Sequence, residues 1–151
     1  MSSKAKASLD LTDFKKILAE IEKAEKTMNG AAEKCMQKVI QIAEKELKSE
    51  TRKASDNTER MIAAIKVTPP KWPKSGQGDV VEGGVGWTKG KYDPKNPSEG
   101  YKAIFLNCGT PKRKKSQVQG RFFIQKAKKK INEETEQIYE KTLNEILKGL
   151  K

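Results

Sequence analysis

The sequence predicts an α+β chain. It should have long N-terminal helices (one bent or two), a small antiparallel sheet with extended loops, and a long amphipathic C-terminal helix. Three observations lead there. Apolar residues recur at three- and four-residue steps at both ends of the chain, as one buried helical face requires. Five of the six prolines and seven of the eleven glycines fall within residues 67–100, where they end helices and mark turns. Inside that stretch Asp79–Trp87 (DVVEGGVGW) has the composition of a strand.

In order, Leu11, Phe14, Ile17, Leu18 and Ile21 form the first helical stripe, with Lys and Glu on the other side. Asp10 or Thr12 suits its N-cap, and Asn29-Gly30 suits its stop. Ala32, Cys35, Met36, Val39, Ile40, Ala43 and Leu47 make a second stripe ending near Ser55-Asp56-Asn57. A helical glycine costs only about 1 kcal/mol, so one helix through Gly30 is also open. Thr58 is placed to cap a short turn carrying Met61, Ile62 and Ile65. Ile65–Thr68 reads as a short strand before the double proline. Tyr101–Leu106 fits both periods: Tyr101, Ile104 and Phe105 suit a helix, and Tyr101, Ala103 and Phe105 suit a strand. Lys112–Gly120 is a basic, polar loop. From Arg121 onward Ile124, Ala127, Ile131, Ile138, Thr142, Leu143, Ile146, Leu147 and Leu150 mark a final helix. Thirty such residues would span about 45 Å, more surface than one small domain covers.

The chain has 151 residues, one domain's worth. Residues 1–9 read as a flexible N-terminus and 10–151 as a single domain, with a Pro/Gly-rich strand and loop region at 67–100 and a basic loop at 111–120. Leu, Ile, Val and Phe number 29, or 19% of residues, and the net charge is +12; composition of that kind borders on disorder. The charge is not spread evenly. Residues 1–65 carry a net +2, 66–110 a net +3, 111–130 a net +9 and 131–151 a net −2. A uniformly basic coat for packaging nucleic acid is therefore excluded. No apolar run approaches the roughly 20 residues of a membrane span, and Met1–Ala7 leads into no signal-peptide core. The expectation is a soluble chain made in the cytosol. Cys35 and Cys108 are too few for a disulfide scaffold, and Cys35 lies on an apolar stripe where it serves as a small hydrophobe.

The absence of histidine removes the commonest general base and metal ligand together, and two cysteines alone make no zinc site. Acidic residues beside lysines on helical faces read as solvated surface. Around Gly84-Val85-Gly86-Trp87-Thr88-Lys89-Gly90 both phosphate-loop patterns fail, because Lys89 stands at the third glycine of one and Tyr92 follows Gly90-Lys91 in the other. No catalytic constellation, cofactor or metal is expected. The strongest electrostatic feature is Lys112, Arg113, Lys114, Lys115 and Arg121, with Lys126, Lys128, Lys129 and Lys130 beyond them. These could contact phosphates, with Phe122 and Phe123 stacking on bases. Alternatively they meet an acidic protein, or form a solvated loop whose phenylalanines anchor the next helix in the core.

From Thr58 onward the order of short motifs resembles a family of phage tail components, the gene-product-ten-like neck or tail-completion proteins of long-tailed phages. Asn57-Thr58-Glu59-Arg60-Met61 running into Ile65-Lys66-Val67 is similar to the family's Thr-Gly-Arg-Leu…Ser-Ile segment. Tyr101–Thr110 (YKAIFLNCGT) is similar to its aromatic-rich segment ending in Gly-Thr. After a basic loop, Arg121–Ala127 (RFFIQKA) looks like the Phe-containing start of its last helix. Glu59 stands where the family usually has glycine, and Cys108 where an aromatic is common. The resemblance, over roughly residues 10–150, implies a non-catalytic virion protein that oligomerises, as a homo-oligomer or ring. It would dock to neighbouring head-completion and tail proteins in head–tail joining or tail completion, residing in the virion and, during assembly, in the host cytoplasm. Thr58, Ile65, Tyr101, Phe105, Gly109, Thr110, Phe122 and Ile124 become its architectural positions. Gly109 would supply a positive φ, Thr110-Pro111 would fix the exit of the basic loop, and Phe122 and Ile124 would dock the long helix. A stand-alone nucleic-acid-binding protein using residues 112–130 is the alternative, and a helical adaptor for an acidic protein a third.

Overall fold

The structure, a computed structural model, describes residues 12–72, 81–88, 90, 93–110 and 117–149, and of residues 12–14 and 17 the backbone alone. It has four helices and two strands, in the order α1 (Thr12–Ala54), α2 (Glu59–Ala63), β1 (Lys66–Lys71), β2 (Glu82–Gly86), α3 (Glu99–Cys108) and α4 (Phe123–Gly149). The expected class holds: a long N-terminal helix, a small antiparallel sheet and a long C-terminal helix.

α1 runs 43 residues without a break, about 65 Å. Gly30 does not stop it. A Cβ at Gly30 would meet nothing within 4 Å, so no close approach requires a glycine there. Propagating the helix costs less there than starting a second one. α1 ends at Ala54, where the Ser55-Asp56-Asn57 signal places its end. Thr58 sits in the N-cap position of α2 and is buried, but its hydroxyl caps nothing. It donates instead to the Ser55 carbonyl at 3.2 Å, tying the α1–α2 turn from behind.

The sheet is a two-stranded antiparallel pair with Lys66 opposite Gly86, Val67 opposite Val85 and Thr68 opposite Gly84; the register then shifts before Lys71 meets Glu82. The first strand therefore runs past the expected end at Thr68 and through Pro69-Pro70. Proline cannot donate to a ladder, and it is tolerated in strands with a free edge or at bulges; β1 has both. The second strand is shorter than Asp79–Trp87, with Asp79 and Val80 outside the described residues. Tyr101–Leu106 resolves as helix, within α3. Ser98 precedes it in extended conformation and Gly109 follows it at φ 82°, the positive φ expected of that glycine.

The core gathers where α1, α2, α3 and α4 meet. Leu47, Ala54, Met61, Ile65, Ala103, Phe123 and Ala127 form one buried cluster, with Val85, Trp87, Leu106, Ile124 and Ile131 packed against it. Ala103 and Ala127 are completely buried. Trp87 meets Phe123 edge-on, centroids 6.1 Å apart at 87°, and donates its indole N–H to the Met61 carbonyl at 2.7 Å. This satisfies the one polar atom of a ring otherwise suited to burial.

One expectation is corrected here. Phe122 does not dock the last helix: it is 54% exposed, whereas Phe123 is 1% exposed. Phe122 adopts φ 51°, the one positive φ among the described non-glycine residues. That turn swings its own ring outward and aims the next side chain into the core. α4 accordingly starts at Phe123 rather than Arg121.

Candidate interaction surfaces

α1 and α4 pack antiparallel along most of α4. The Lys130 ammonium lies 2.8 Å from Glu50 Oε1 and 3.6 Å from Glu46 Oε2, and Thr142 and Ile146 lie beside Lys26–Cys35. Glu50 also accepts from Lys53 at 2.9 Å. Hydrogen bonds from Lys130 and then Lys53 hold the Glu50 carboxyl below its ordinary range, outweighing its desolvation. The same bond to Glu50 raises Lys130. Both glutamates are buried, so they are not the solvated surface their helical spacing implied. Lys130 is drawn inward to them, away from any phosphate it was expected to meet.

At the other end of α4 the chain is locked to α3. Arg121 N–H donates to Leu106 O at 3.0 Å and Phe122 N–H to Asn107 O at 2.9 Å, while Ile124 N–H donates to Asn107 Oδ1 at 2.9 Å. The base of the basic loop is closed like a hairpin. Gly109 bridges Gln119, Thr110 N–H donates to Val118 O at 2.9 Å, and Val118 N–H donates to the Thr110 hydroxyl at 3.0 Å. Thr110 thus holds the two sides of the loop base together through its N–H and its hydroxyl. Lys112, Arg113, Lys114, Lys115 and Pro111 lie outside the described residues. Arg121, Lys126, Lys128 and Lys129 are exposed, and Phe122 stands among them. Phe123 is buried and cannot stack on a base.

The other expected architectural positions divide into two groups. Ile65 and Ile124 share the core, and Thr58 is buried at the α1–α2 turn. Tyr101 and Phe105 lie half-buried on α3, ring centroids 6.4 Å apart; Tyr101 also lines a small recess of about 180 Å³ with Trp87, Thr88, Gly100 and Ile104. Cys108 is exposed, and Cys35 is buried as its stripe predicts.

A second surface was not legible in the sequence. Where α1 and α4 meet beyond Cys35, an open, largely apolar groove of about 560 Å³ is lined by Met28, Ala32, Met36, Tyr139, Leu143 and Ile146, with Val81 and Cys35 at its floor. Leu143 is 57% exposed and Met28 52%. Ala32, Met36, Leu143 and Ile146 were expected to belong to core stripes, whereas Met28 and Tyr139 fell on none. The signal that separates them is Tyr139-Leu143-Leu147, a four-residue step that drifts off the α1-facing row of Ile131, Ile138 and Ile146.

Comparison of the chain with protein-family models, with curated proteins and with solved structures returns no match. Among the described residues, no group of three His, Cys, Asp or Glu side chains is placed to share a metal ion, and no helix is long and apolar enough to cross a membrane.

Proposed function

We propose that the chain is a non-catalytic structural subunit of a phage or prophage particle. It acts in head–tail joining or tail completion by assembling with copies of itself and docking to neighbouring neck and tail proteins. The observation that carries this reading is the apolar surface left open between α1 and α4. Met28, Tyr139 and Leu143 are each at least half exposed and line one apolar groove, and an exposed apolar patch marks an interaction site. The motif order Thr58–Ile65, Tyr101–Thr110 and Arg121–Ala127 supplies the kind of assembly, by its resemblance to the gene-product-ten-like tail components. In this reading the chain belongs to the virion, and to the host cytoplasm while assembly proceeds.

The test is the protein content of particles released by the source strain after prophage induction. Peptides of this chain should co-purify with intact particles at a fixed ratio to the tail-tube protein. Their absence from particles, with the chain present in the same lysate, would sink the reading.

A second reading, nucleic-acid binding, is favoured by one observation: Phe122 is held outward in an unfavourable backbone conformation between exposed Arg121 and Lys126. Duplex DNA titrated across a salt series separates the two. A log-affinity slope near −5 would mean about six phosphates neutralised and would favour this second reading, whereas weak binding with little sequence preference favours the first.

A further inference from the structure

The two long helices differ in length and are staggered. Lys130 faces Glu46 and Glu50, and Glu145 and Ile146 lie beside Lys26–Cys35. α4 therefore ends at Gly149 roughly level with Lys26. The first part of α1, Thr12–Glu25, extends about 20 Å beyond it. Leu18 and Ile21 lie on this extension, 43% and 57% exposed. The apolar groove opens at the foot of the same extension.

We propose that a second copy of this chain fills the groove with its own α1 extension, and that the exchange is reciprocal. The two subunits form a two-fold antiparallel bundle of four helices, α1 and α4 from each. This rests on the reading of the chain as a self-assembling subunit and names the face that does it.

Leu18, Ile21, Met28, Ala32 and Cys35 fall at steps of three, seven, four and three, the spacing of one apolar seam in a coiled coil, with Glu25 the single polar position. The extension thus carries a ridge of the kind the groove lacks. One element supplies the ridge and the adjoining stretch of the same element supplies half the groove, so a two-fold axis crossing α1 between them satisfies both copies at once.

Charge selects the same occupant. Residues 12–30 carry four basic and four acidic side chains, and 131–149 carry two basic against five acidic. This is the one end of a +12 chain with no positive excess, so two copies meet there without the repulsion their net charge would impose elsewhere. Arg121, Lys126, Lys128, Lys129 and Lys130 lie at the far end of α4. The two-fold arrangement places the two basic ends at opposite extremes of the dimer. A polyanion, by contrast, is repelled from a groove walled by the acidic half of α4.

The test is the solution mass of the full chain by sedimentation, across a wide concentration series. Wild type should reach twice 16.9 kDa. Ile21→Glu on the extension and Leu143→Glu in the groove should each weaken the dimer by about tenfold or more. Both side chains are exposed in the single chain, so helix content at low concentration should be unchanged in both variants. Lys128→Glu at the basic end should leave the mass untouched. A wild-type chain that stays monomeric overturns the proposal, as does an assembly that persists in both Ile21→Glu and Leu143→Glu. An assembly abolished by Lys128→Glu alone would mean a head-to-tail charge contact and overturns it too. The presence of the chain in particles is measured independently, so the dimer and the virion role can fail separately.

Discussion

The side-chain oxygen of Asn107, the next-to-last residue of α3, accepts the backbone N–H of Ile124 in the first turn of α4 at 2.9 Å. Asn107 is buried, and its own carbonyl accepts Phe122 N–H at 2.9 Å. One residue thereby satisfies two donors at a helix start, where the first turn has no intrahelical partners. It does so from another helix, across the basic loop. Asn107→Ala should cost about 1–2 kcal/mol, read by chemical denaturation. Asn107→Asp keeps the acceptor and should fall between wild type and Asn107→Ala.

Adjacent phenylalanines at the same junction should behave oppositely. Phe123 is almost wholly buried against Trp87, and Phe123→Ala should cost about 3–5 kcal/mol. Phe122 is half exposed and sits at φ 51°, a region that penalises an L-residue by about 1–2 kcal/mol but that asparagine tolerates. Phe122→Asn should therefore leave stability unchanged or raise it by up to about 1 kcal/mol. A loss near that of Phe123→Ala would show that the ring is seated in the core after all.

Two glycines make close approaches of different kinds. A Cβ on Gly109 would sit 2.7 Å from Val118 O and 2.8 Å from Gly120 N, both backbone atoms, at a φ of 82°. A Cβ on Gly83 would meet the Cδ1 of Ile40, the end of a side chain that can rotate. Gly109→Ala combines backbone strain with a clash that only the hairpin base can relieve, and should cost about 2 kcal/mol or more. Gly83→Ala should cost clearly less. Melting midpoints of the two variants measured side by side check the order.

Much of the fold follows from local patterns, and the exceptions have definite causes. Three- and four-residue periodicity marks α1 and α4 because their buried faces are long enough to repeat. It cannot say which of two neighbouring phenylalanines turns inward, since that depends on one backbone angle at Phe122. It also assigns Glu46 and Glu50 to solvent. Their burial depends on Lys130, eighty residues from Glu50, and no local spacing encodes that partner. Tyr101–Leu106 fits both periods over six residues, too short a run for periodicity to separate helix from strand. The apolar groove is hidden for a related reason: Leu143 and Ile146 both fit the apolar stripe, but Leu143 lies on the Tyr139-Leu143-Leu147 row that turns away from α1.

The Glu50–Lys130 pair makes stability depend on pH at both extremes. The Glu50 carboxyl is held below its ordinary value of 4.5, first by the Lys130 hydrogen bond and then by Lys53. A depressed folded-state value means that the contribution is complete above the unfolded value and is lost as pH falls through the folded one. Lys130 is held above its ordinary value of 10.5 by the same bond. Its contribution is complete below that value and is lost only as pH rises through the raised one. Melting midpoints of wild type should therefore be level near neutrality and decline below about pH 4.5. Glu50→Gln keeps the shape of the side chain without its charge, so it should start lower at neutral pH and show a shallower acid decline. Lys130→Met should be the more damaging change at neutral pH. It leaves two buried carboxylates on successive turns of α1 with Lys53 alone beside Glu50, and charge left buried without its partner costs more than the pair contributes. The Lys130→Met deficit should then narrow on acidification, as Glu50 takes up a proton. An acid decline of equal steepness in wild type and Glu50→Gln would assign the pH dependence to other carboxylates.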